Sequence, residues 1–435
     1  MTTFGAIFVP APLRDAVSDT AWVDAMVEVE RALATAEFKA GVIPAAAGAL
    51  IAEVCRDGAY DPAVLAEEGR AAGNPAEPLV RALRSRLADD VASYVHFGAT
   101  SQDIIDSAAM LVARRALAIV DGELAAVEEL CAGLARRHRD TPMAARTLLQ
   151  QAVPTTFGFK AAGWLVGVHA ARGRLAGLAA VLPAQLGGAA GTLAALGDDA
   201  LEVLRLFADE LGLAEPTVPW HTNRLVIAEL GAALANASGA CAKIAVDIAL
   251  LSQTEVAEVA EAEPGGSSAM PQKRNPVGAV LAGACARQVR GHASVLAEGV
   301  VAEHERAIGA WHAEWGALSG ALACTGGAAS AIRRSLDGLA VDTARMRANL
   351  DLTDGRVLSE RLSYLLAGDL GLTAAKAELT RASTPGNSLE DELAGVLPAD
   401  ELERALDPLT YLGAAAAFVD RALATVETAV GRTGA

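Results

Sequence analysis

The sequence predicts an all-α chain organised around a central bundle of long helices. Strand formers rarely alternate, whereas Ala, Leu, Glu and Arg recur at helical spacing along most of the 435 residues. Four periodic runs, 103–139, 155–182, 224–261 and 276–303, have no Pro in their interiors. Aromatics make up only 4% of the chain, so the interior has to be built from Ala, Leu and Val, and small side chains let helices approach closely.

The elements follow from local signals. Ser18 and Asp19 offer an N-cap to a helix over Ala21 to Ala40, where Val23, Met26, Val27, Leu33, Ala34 and Phe38 form an apolar stripe. Gly41 and Pro44 stop it. In the run from Arg224 to Glu261 the only glycines are Gly231 and Gly239; at 1.5 Å per residue it would reach about 55 Å, the length of a bundle helix. Glu255, Glu258 and Glu261 then fall at i, i+3 and i+6 of one helix, the pattern of a solvated or ion-paired face. Leu175 to Gly197 runs 23 residues without a charge, bilayer length by count. It is broken by Pro183 and carries Gln185 beside Gly187 and Gly188, so it reads as a helix interrupted by a turn, not a membrane span. There is no repeat and no low-complexity linker. The expected division is an N-terminal helical domain over 1–102, a central long-helix domain over 103–345 and a C-terminal helical domain over 346–435.

Composition narrows the function classes. With 36 Lys and Arg against 53 Asp and Glu, the net charge is −17, which excludes a basic nucleic-acid footprint. Hydrophobic residues at 52% and charged residues at 20% exclude disorder. Cys55, Cys131, Cys241, Cys285 and Cys324 are an odd set without a CxxC pair, so neither a disulfide framework nor a structural zinc site is expected. Buried thiols in a reducing cytoplasm are expected instead. Met1 to Val9 has no basic n-region, so no signal peptide is expected.

Three loops interrupt the helices with polar, conformationally special residues: His96 to Asp103, Gln185 to Thr192, and Pro264 to Pro276. The third carries the most chemistry. Two glycines, two hydroxyls, a lysine, an arginine and two amides stand between or beside Pro271 and Pro276. Lys273 and Asn275 are donors suited to a carboxylate. A serine near Lys273 and free backbone N–H groups can act as a base, its alkoxide stabilised by the surrounding positive charge.

That loop resembles the signature of the fumarase/aspartase superfamily, GSSxMPxKxNP, matched at Gly266, Ser267, Ser268, Met270, Pro271, Lys273, Asn275 and Pro276. HFGATSQDIIDS (96–107) resembles its first substrate-binding segment, and Gln185 to Thr192 resembles the glycine-rich segment after the second. Within the superfamily, the strings SDTAWVDAMVEVERALATAEFKAGVIP (18–44), GNPAEPLVRAL (73–83), ARTLLQQAVPTTFGFKAAGW (145–164), QLGGAAGTLAAL (185–196) and PWHTNR (219–224) are similar to those of bacterial 3-carboxy-cis,cis-muconate cycloisomerases.

The resemblance implies cofactor-free chemistry on a small polycarboxylate, without a metal. Ser267 would be the base, and Lys273 and Asn275 would hold the carboxylate. Substrate contacts would come from His96, Thr100, Ser101, Arg146, Thr147, Gln151, Gln185, His221, Arg224, Ser268 and Met270. It also implies a homotetramer with shared active sites around twenty central helices. The histidine that many members carry after an Arg-Thr pair is replaced by Leu148, leaving His96, His221 and solvent as candidate proton donors. Leu225 and Val226 follow Arg224 where the related pattern has further polar groups, and Arg224 itself suits bidentate carboxylate recognition. Ser359 and Arg361 resemble a phosphate-contacting pair but read equally as a solvated helix face.

Three functions therefore stand: a cycloisomerase in aromatic-acid breakdown; a C–N lyase releasing fumarate from a substituted succinate; and a structural protein of the same fold. Leu148, together with Gly73-Asn74-Pro75 where an Arg-His-Asp segment would stand, favours the first over the second. Intact Ser267, Lys273 and Asn275 speak against the third.

Overall fold

A computed structural model describes residues 3–383 and 388–433. In chain order its main elements are α1 (Asp19–Lys39), α2 (Ala45–Asp57), α3 (Ala76–Arg84), α4 (Ser101–Arg137), β1 (Pro142–Thr147), β2 (Gln150–Thr156), α5 (Phe157–Ala179), α6 (Ala200–Leu211) and α7 (Leu225–Leu251). There follow β3 (Val259–Ala260), α8 (Val277–Glu298), α9 (Ala310–Leu336), β4 (Ala340–Val341), α10 (Thr343–Asp351), α11 (Ser359–Leu370), α12 (Leu372–Ala382), α13 (Ala399–Leu406) and α14 (Ala415–Thr433). The fold is predominantly α-helical, as the periodicity predicts.

The expected start of α1 is realised in detail. Ser18 Oγ accepts the Ala21 N–H at 3.2 Å, and Gly41, at φ +80°, ends the helix while the Val42 N–H returns to the Glu37 carbonyl at 2.9 Å. The run expected from Arg224 to Glu261 stops at Leu251, about 40 Å of helix instead of 55. The chain turns over 252–257, Ala257 takes φ +52°, and the Glu258 N–H bonds the Leu251 carbonyl at 2.9 Å. Val259 then pairs with Val341. Glu255, Glu258 and Glu261 therefore do not share a helix face, and Glu258 and Glu261 are buried rather than solvated.

The chain packs as two compact units. One comprises residues 1–124, 171–242 and 281–331 and the other 125–170, 243–280 and 332–435. In the first, α1 packs on α2 and α6, burying Val23, Met26 and Leu33 of its stripe. In the second, Leu362, Leu366, Leu379, Leu389, Leu393 and Leu402 form the centre of a C-terminal helical cluster. This unit also holds a β-hairpin, lying between two of the expected helical runs. β1 and β2 are joined by Leu148 and Leu149, at φ +52° and +66°. Left-handed geometry at both central residues is what a two-residue hairpin turn demands, but the usual Asn or Gly is missing, so no turn signal was legible.

All five cysteines are buried free thiols. Burial pushes Cys55, Cys241 and Cys285 up to about 12 and Cys324 up to about 11, so none of these four is a reactive thiolate at neutral pH. The charge-free stretch from Leu175 stops being helical after Ala179. α7 is the helix long and apolar enough to cross a membrane among the described residues; 44% of its most apolar window is buried within the single chain.

Candidate active site

The first unit gathers two of the three polar loops around the start of α4. Asp103, fully buried in its first turn, accepts the N–H groups of Thr100 at 3.0 Å and of Gly187 and Gly188 at 2.9 Å each. It also pairs with His221 Nε2 at 2.6 Å. One carboxylate thus ties together the two loops and the PWHTNR segment. Gly188 is required here: it sits at φ +70°, and a Cβ would lie 2.6 Å from the Gly98 carbonyl oxygen. His96, also left-handed at φ +61°, is partly buried and holds Glu30 Oε1 through Nδ1 at 2.7 Å. Burial works against its charge, but the Glu30 carboxylate outweighs burial and raises its pKa. Thr100 and Ser101 lie at the mouth of the same turn, both partly buried.

Arg224 departs from the role the sequence suggests. It is 2% exposed, and its guanidinium is committed inside the unit, to Asp106 at 2.7 and 3.0 Å and to Glu314 at 2.5 to 3.2 Å, while stacking 4.7 Å above the Trp220 ring. Asp106 also accepts Trp311 Nε1 at 2.9 Å and Gln102 Nε2 at 3.1 Å. Gln185 is equally committed: its Oε1 accepts the Trp220 N–H at 2.9 Å and its Nε2 reaches Asp106 at 3.3 Å. Arg306 clasps the glycine-rich loop from outside, donating to Gln102 Oε1 and the Ala189 carbonyl at 3.0 Å each. Buried Arg224, His221 and Gln185 hold the loops in place; His96, Thr100 and Ser101 keep partly open surface.

The second unit holds the remaining predicted residues. Arg146 on β1 makes a bidentate pair with fully buried Glu258 at 2.9 and 2.7 Å, and Asn349 Nδ2 adds a bond to the same carboxylate at 2.7 Å. Gln151 Nε2 donates to the Asn349 carbonyl at 2.8 Å. Thr147 is exposed at the end of the hairpin, and Leu148, in the histidine's place, is 97% exposed.

The signature loop is closed at its base by a two-way backbone bridge, Gly265 N–H to Asn275 carbonyl at 2.9 Å and Asn275 N–H to Gly265 carbonyl at 3.0 Å. A Cβ on Gly265 would lie 2.1 Å from Val277 Cγ2, so this glycine serves close packing rather than freedom of movement. Ser267 Oγ accepts the N–H groups of Ala269 at 3.3 Å and Met270 at 3.2 Å. Asn275 Nδ2 reaches back to the Gly266 carbonyl at 3.4 Å, and Ser268, Met270 and Lys273 are exposed along the loop. Beneath it, buried Glu261 accepts the first N–H groups of α8, Gly278 at 3.1 Å and Ala279 at 2.9 Å, and the Ser335 hydroxyl at 2.5 Å. The loop is thereby anchored to the start of a long helix.

A sequence profile of the lyase family matches residues 10–291, more than half of the chain. The chain is 49% identical to nitrosuccinate lyase of Streptomyces davaonensis, over 96% of this chain and 94% of that protein. It is 45% identical to 3-carboxy-cis,cis-muconate cycloisomerase of Pseudomonas aeruginosa, over 97% and 95% respectively. This chain belongs to the fumarase/aspartase superfamily of lyases. Among solved structures of that superfamily, the 3-carboxy-cis,cis-muconate lactonizing enzyme of Pseudomonas putida superposes with a TM-score of 0.90 at 39% identity, covering 97% of this chain and 98% of that one.

For a fumarase/aspartase enzyme, the supporting residues that sequence reading passed over are Asp103, Asp106, Glu258, Glu261, Arg306 and Glu314. Two signals were present. Asp103 and Asp106 stand i, i+3 at the start of an apolar helix, and Glu314 sits between Trp311 and Trp315. Charges in such surroundings are either paired or absent. Arg361, the candidate phosphate contact, instead caps the end of α13, donating to the Arg404 carbonyl at 2.8 Å and to Thr410 Oγ1 at 2.5 Å.

Proposed function

We propose that this enzyme converts 3-carboxy-cis,cis-muconate to its γ-lactone by cofactor-free addition next to a carboxylate, in aromatic-acid breakdown. The observation that carries the reading is Ser267, whose oxygen already receives two backbone N–H groups in a loop bridged at its base. Those donors favour an alkoxide over a hydroxyl, which is the requirement for a serine base. In the lactone-opening direction Ser267 removes the proton from the carbon next to the carboxylate. The electron pair enters that carboxylate, giving a dianion that Lys273 stabilises by its charge and Asn275 by a hydrogen bond, and the ring oxygen departs as a second carboxylate. Lactone formation runs the same path backwards: the internal carboxylate adds to the double bond and the Ser267 hydroxyl returns the proton.

Leu148 fits this reaction for a definite reason. A leaving carboxylate is a weak base and departs without a proton, so no acid is needed where other members place a histidine. An amine leaving group does need one. The same reasoning supports a second reading, elimination of nitrite from nitrosuccinate to leave fumarate, because nitrite is also a weak base; the 49% relative of that name favours it. Amine-releasing chemistry is disfavoured in both.

The working enzyme is proposed to be a cytoplasmic homotetramer. Its twenty long helices would cover the apolar face of α7, and its active sites would be shared between subunits. The segments 1–102, 103–345 and 346–435 are proposed as its N-terminal, central and C-terminal domains. The test is to mix the protein with 3-carboxy-cis,cis-muconate and follow loss of the diene's ultraviolet absorbance, with nitrosuccinate and nitrite release in parallel. Ser267→Ala is expected to abolish turnover with the oligomer intact. Fast diene loss supports lactonisation, nitrite release alone replaces it with the second reading, and full activity in Ser267→Ala removes the serine base.

A further inference from the structure

Two acidic residues interrupt the apolar stripe of α1. Glu30 follows Met26 by four residues and Glu37 follows Leu33 by four, so both turn into the core, where they are 1% and 0% exposed. Glu37 has no hydrogen-bond partner at either carboxyl oxygen among the described residues. Burial, then the charge of Glu30, pushes it up to about 9, so it is neutral at neutral pH. Glu30 Oε2 is unpartnered as well, and Oε1 meets a single group, Nδ1 of His96 at 2.7 Å. Among the described residues Glu30 thus has one partner, and it is a histidine.

A buried carboxylate with one partner needs that partner to carry the opposite charge. The groups around His96 meet the need. Burial, the largest effect, opposes its charge, as does Arg84 from α3; Glu30 from α1 and Asp103 from α4 favour it and prevail, leaving its pKa above the ordinary 6.5. Arg84 is itself held on the Val95 carbonyl at 2.9 Å. The ring's direction is fixed too. His96 and Gly98 both take left-handed geometry, which is unfavourable for a residue with a Cβ, and the bond to Glu30 draws the Nδ1 edge inward. The Nε2 edge is left without a partner among the described residues, on a side chain 14% exposed in the loop that runs on to Thr100 and Ser101.

We infer that Glu30 is a positioning residue of the active site: from the core of α1 it keeps His96 charged with Nε2 facing outward, so that the imidazolium pairs with one carboxylate of a polycarboxylate substrate. The inference rests on the proposed reading of the site as one for polycarboxylates. Glu30 touches no substrate; its work is done through the ring. Neutral Glu37 behind it keeps this part of α1 at a single negative charge, which one imidazolium balances.

The charge of His96 is measured without a substrate, by the pH dependence of hydrogen–deuterium exchange at its ring Cε1, read by peptide mass spectrometry on the full-length protein. In the wild type the midpoint should lie above 6.5 and rise further with tricarballylate, a saturated tricarboxylate that has nothing to eliminate. Glu30→Gln keeps the shape and an acceptor for Nδ1 but removes the charge, so the midpoint should fall below 6.5. Calorimetry should show tricarballylate weakened about tenfold in Glu30→Gln at about pH 7.5, with the gap closing towards about pH 5.5, where the ring is charged in both proteins. In a His96→Gln background, adding Glu30→Gln should cost no further affinity. With 3-carboxy-cis,cis-muconate, KM should rise about tenfold and kcat stay within a few-fold. A wild-type midpoint at or below 6.5, or one that tricarballylate does not move, overturns the proposal. So does a Glu30→Gln protein with an unmoved midpoint, or with a lowered midpoint and unchanged tricarballylate affinity, or with an equal loss in the His96→Gln background. If neither 3-carboxy-cis,cis-muconate nor nitrosuccinate is turned over, the proposed function fails, and the exchange and tricarballylate measurements still decide the role of Glu30.

Discussion

Replacing Arg224 by Met separates a positioning role from a substrate-binding role. The guanidinium is 2% exposed and stands between Asp106 and Glu314, both buried. Removing it strands two carboxylates in a low-dielectric interior. Breaking one buried pair typically costs about 3–5 kcal/mol, so the loss here should be at least about 3 kcal/mol. The penalty should shrink in acid. Burial already raises Glu314, with Arg224 opposing that rise; without Arg224 the folded-state pKa climbs further above its unfolded value. A carboxyl raised in this way stabilises the fold while protonated, and the contribution is lost as pH rises through the folded pKa. Urea unfolding followed by tryptophan fluorescence at about pH 5.5 and pH 8 measures both effects. Arg224→Met should be much less stable than wild type at the higher pH and closer to it at the lower one. A variant of unchanged stability at both, with only a raised KM, would refute the reasoning and return Arg224 to the substrate.

Further outcomes follow from other sites. Gly265→Ala puts a Cβ 2.1 Å from Val277 Cγ2, so the Ser267 loop must shift; kcat should fall about 100-fold with the oligomer retained, as steady-state kinetics and sedimentation would show. Leu149→Gly removes the left-handed penalty at φ +66° and should raise stability by about 1 kcal/mol, read as a higher urea midpoint. Glu37 is fully buried beside Glu30, and burial followed by Glu30 pushes it from 4.5 up to about 9. Its stabilising contribution is therefore complete below 4.5 and lost as pH rises towards 9, so Glu37→Gln should flatten the decline in stability across that range.

The long helices and the signature loop were legible because their signals are local: periodicity, an N-cap at Ser18, and a contiguous string from Gly266 to Pro276. What was not legible depends on partners far away in the chain. Glu258 looked like one more residue of an exposed acidic face until the helix ended at Leu251 and Arg146, 112 positions earlier, closed on it. Arg224 looked available for a ligand because nothing nearby in sequence claims its charge; Asp106 and Glu314 do so from 118 and 90 positions away. The hairpin was hidden for the opposite reason. Its turn is built from two leucines, residues that local propensity never assigns to left-handed geometry, so the surrounding ladder decides the backbone there.

The arrangement of the units bears on how the protein is made. Each unit is assembled from three separate stretches of chain, and the first is not complete until residue 331 has been added. A ribosome therefore releases most of the polypeptide before either unit can close, and α1, although it meets α2 at once, must wait for α6 at 200–211 before its packing is complete. Folding is consequently tied to the end of synthesis, with long sequence separations between the contacts that matter and slow closure as the result. It also means that no single cut in the gene separates one unit from the other. Neither unit can therefore be traded as a module by exchanging one contiguous stretch of chain.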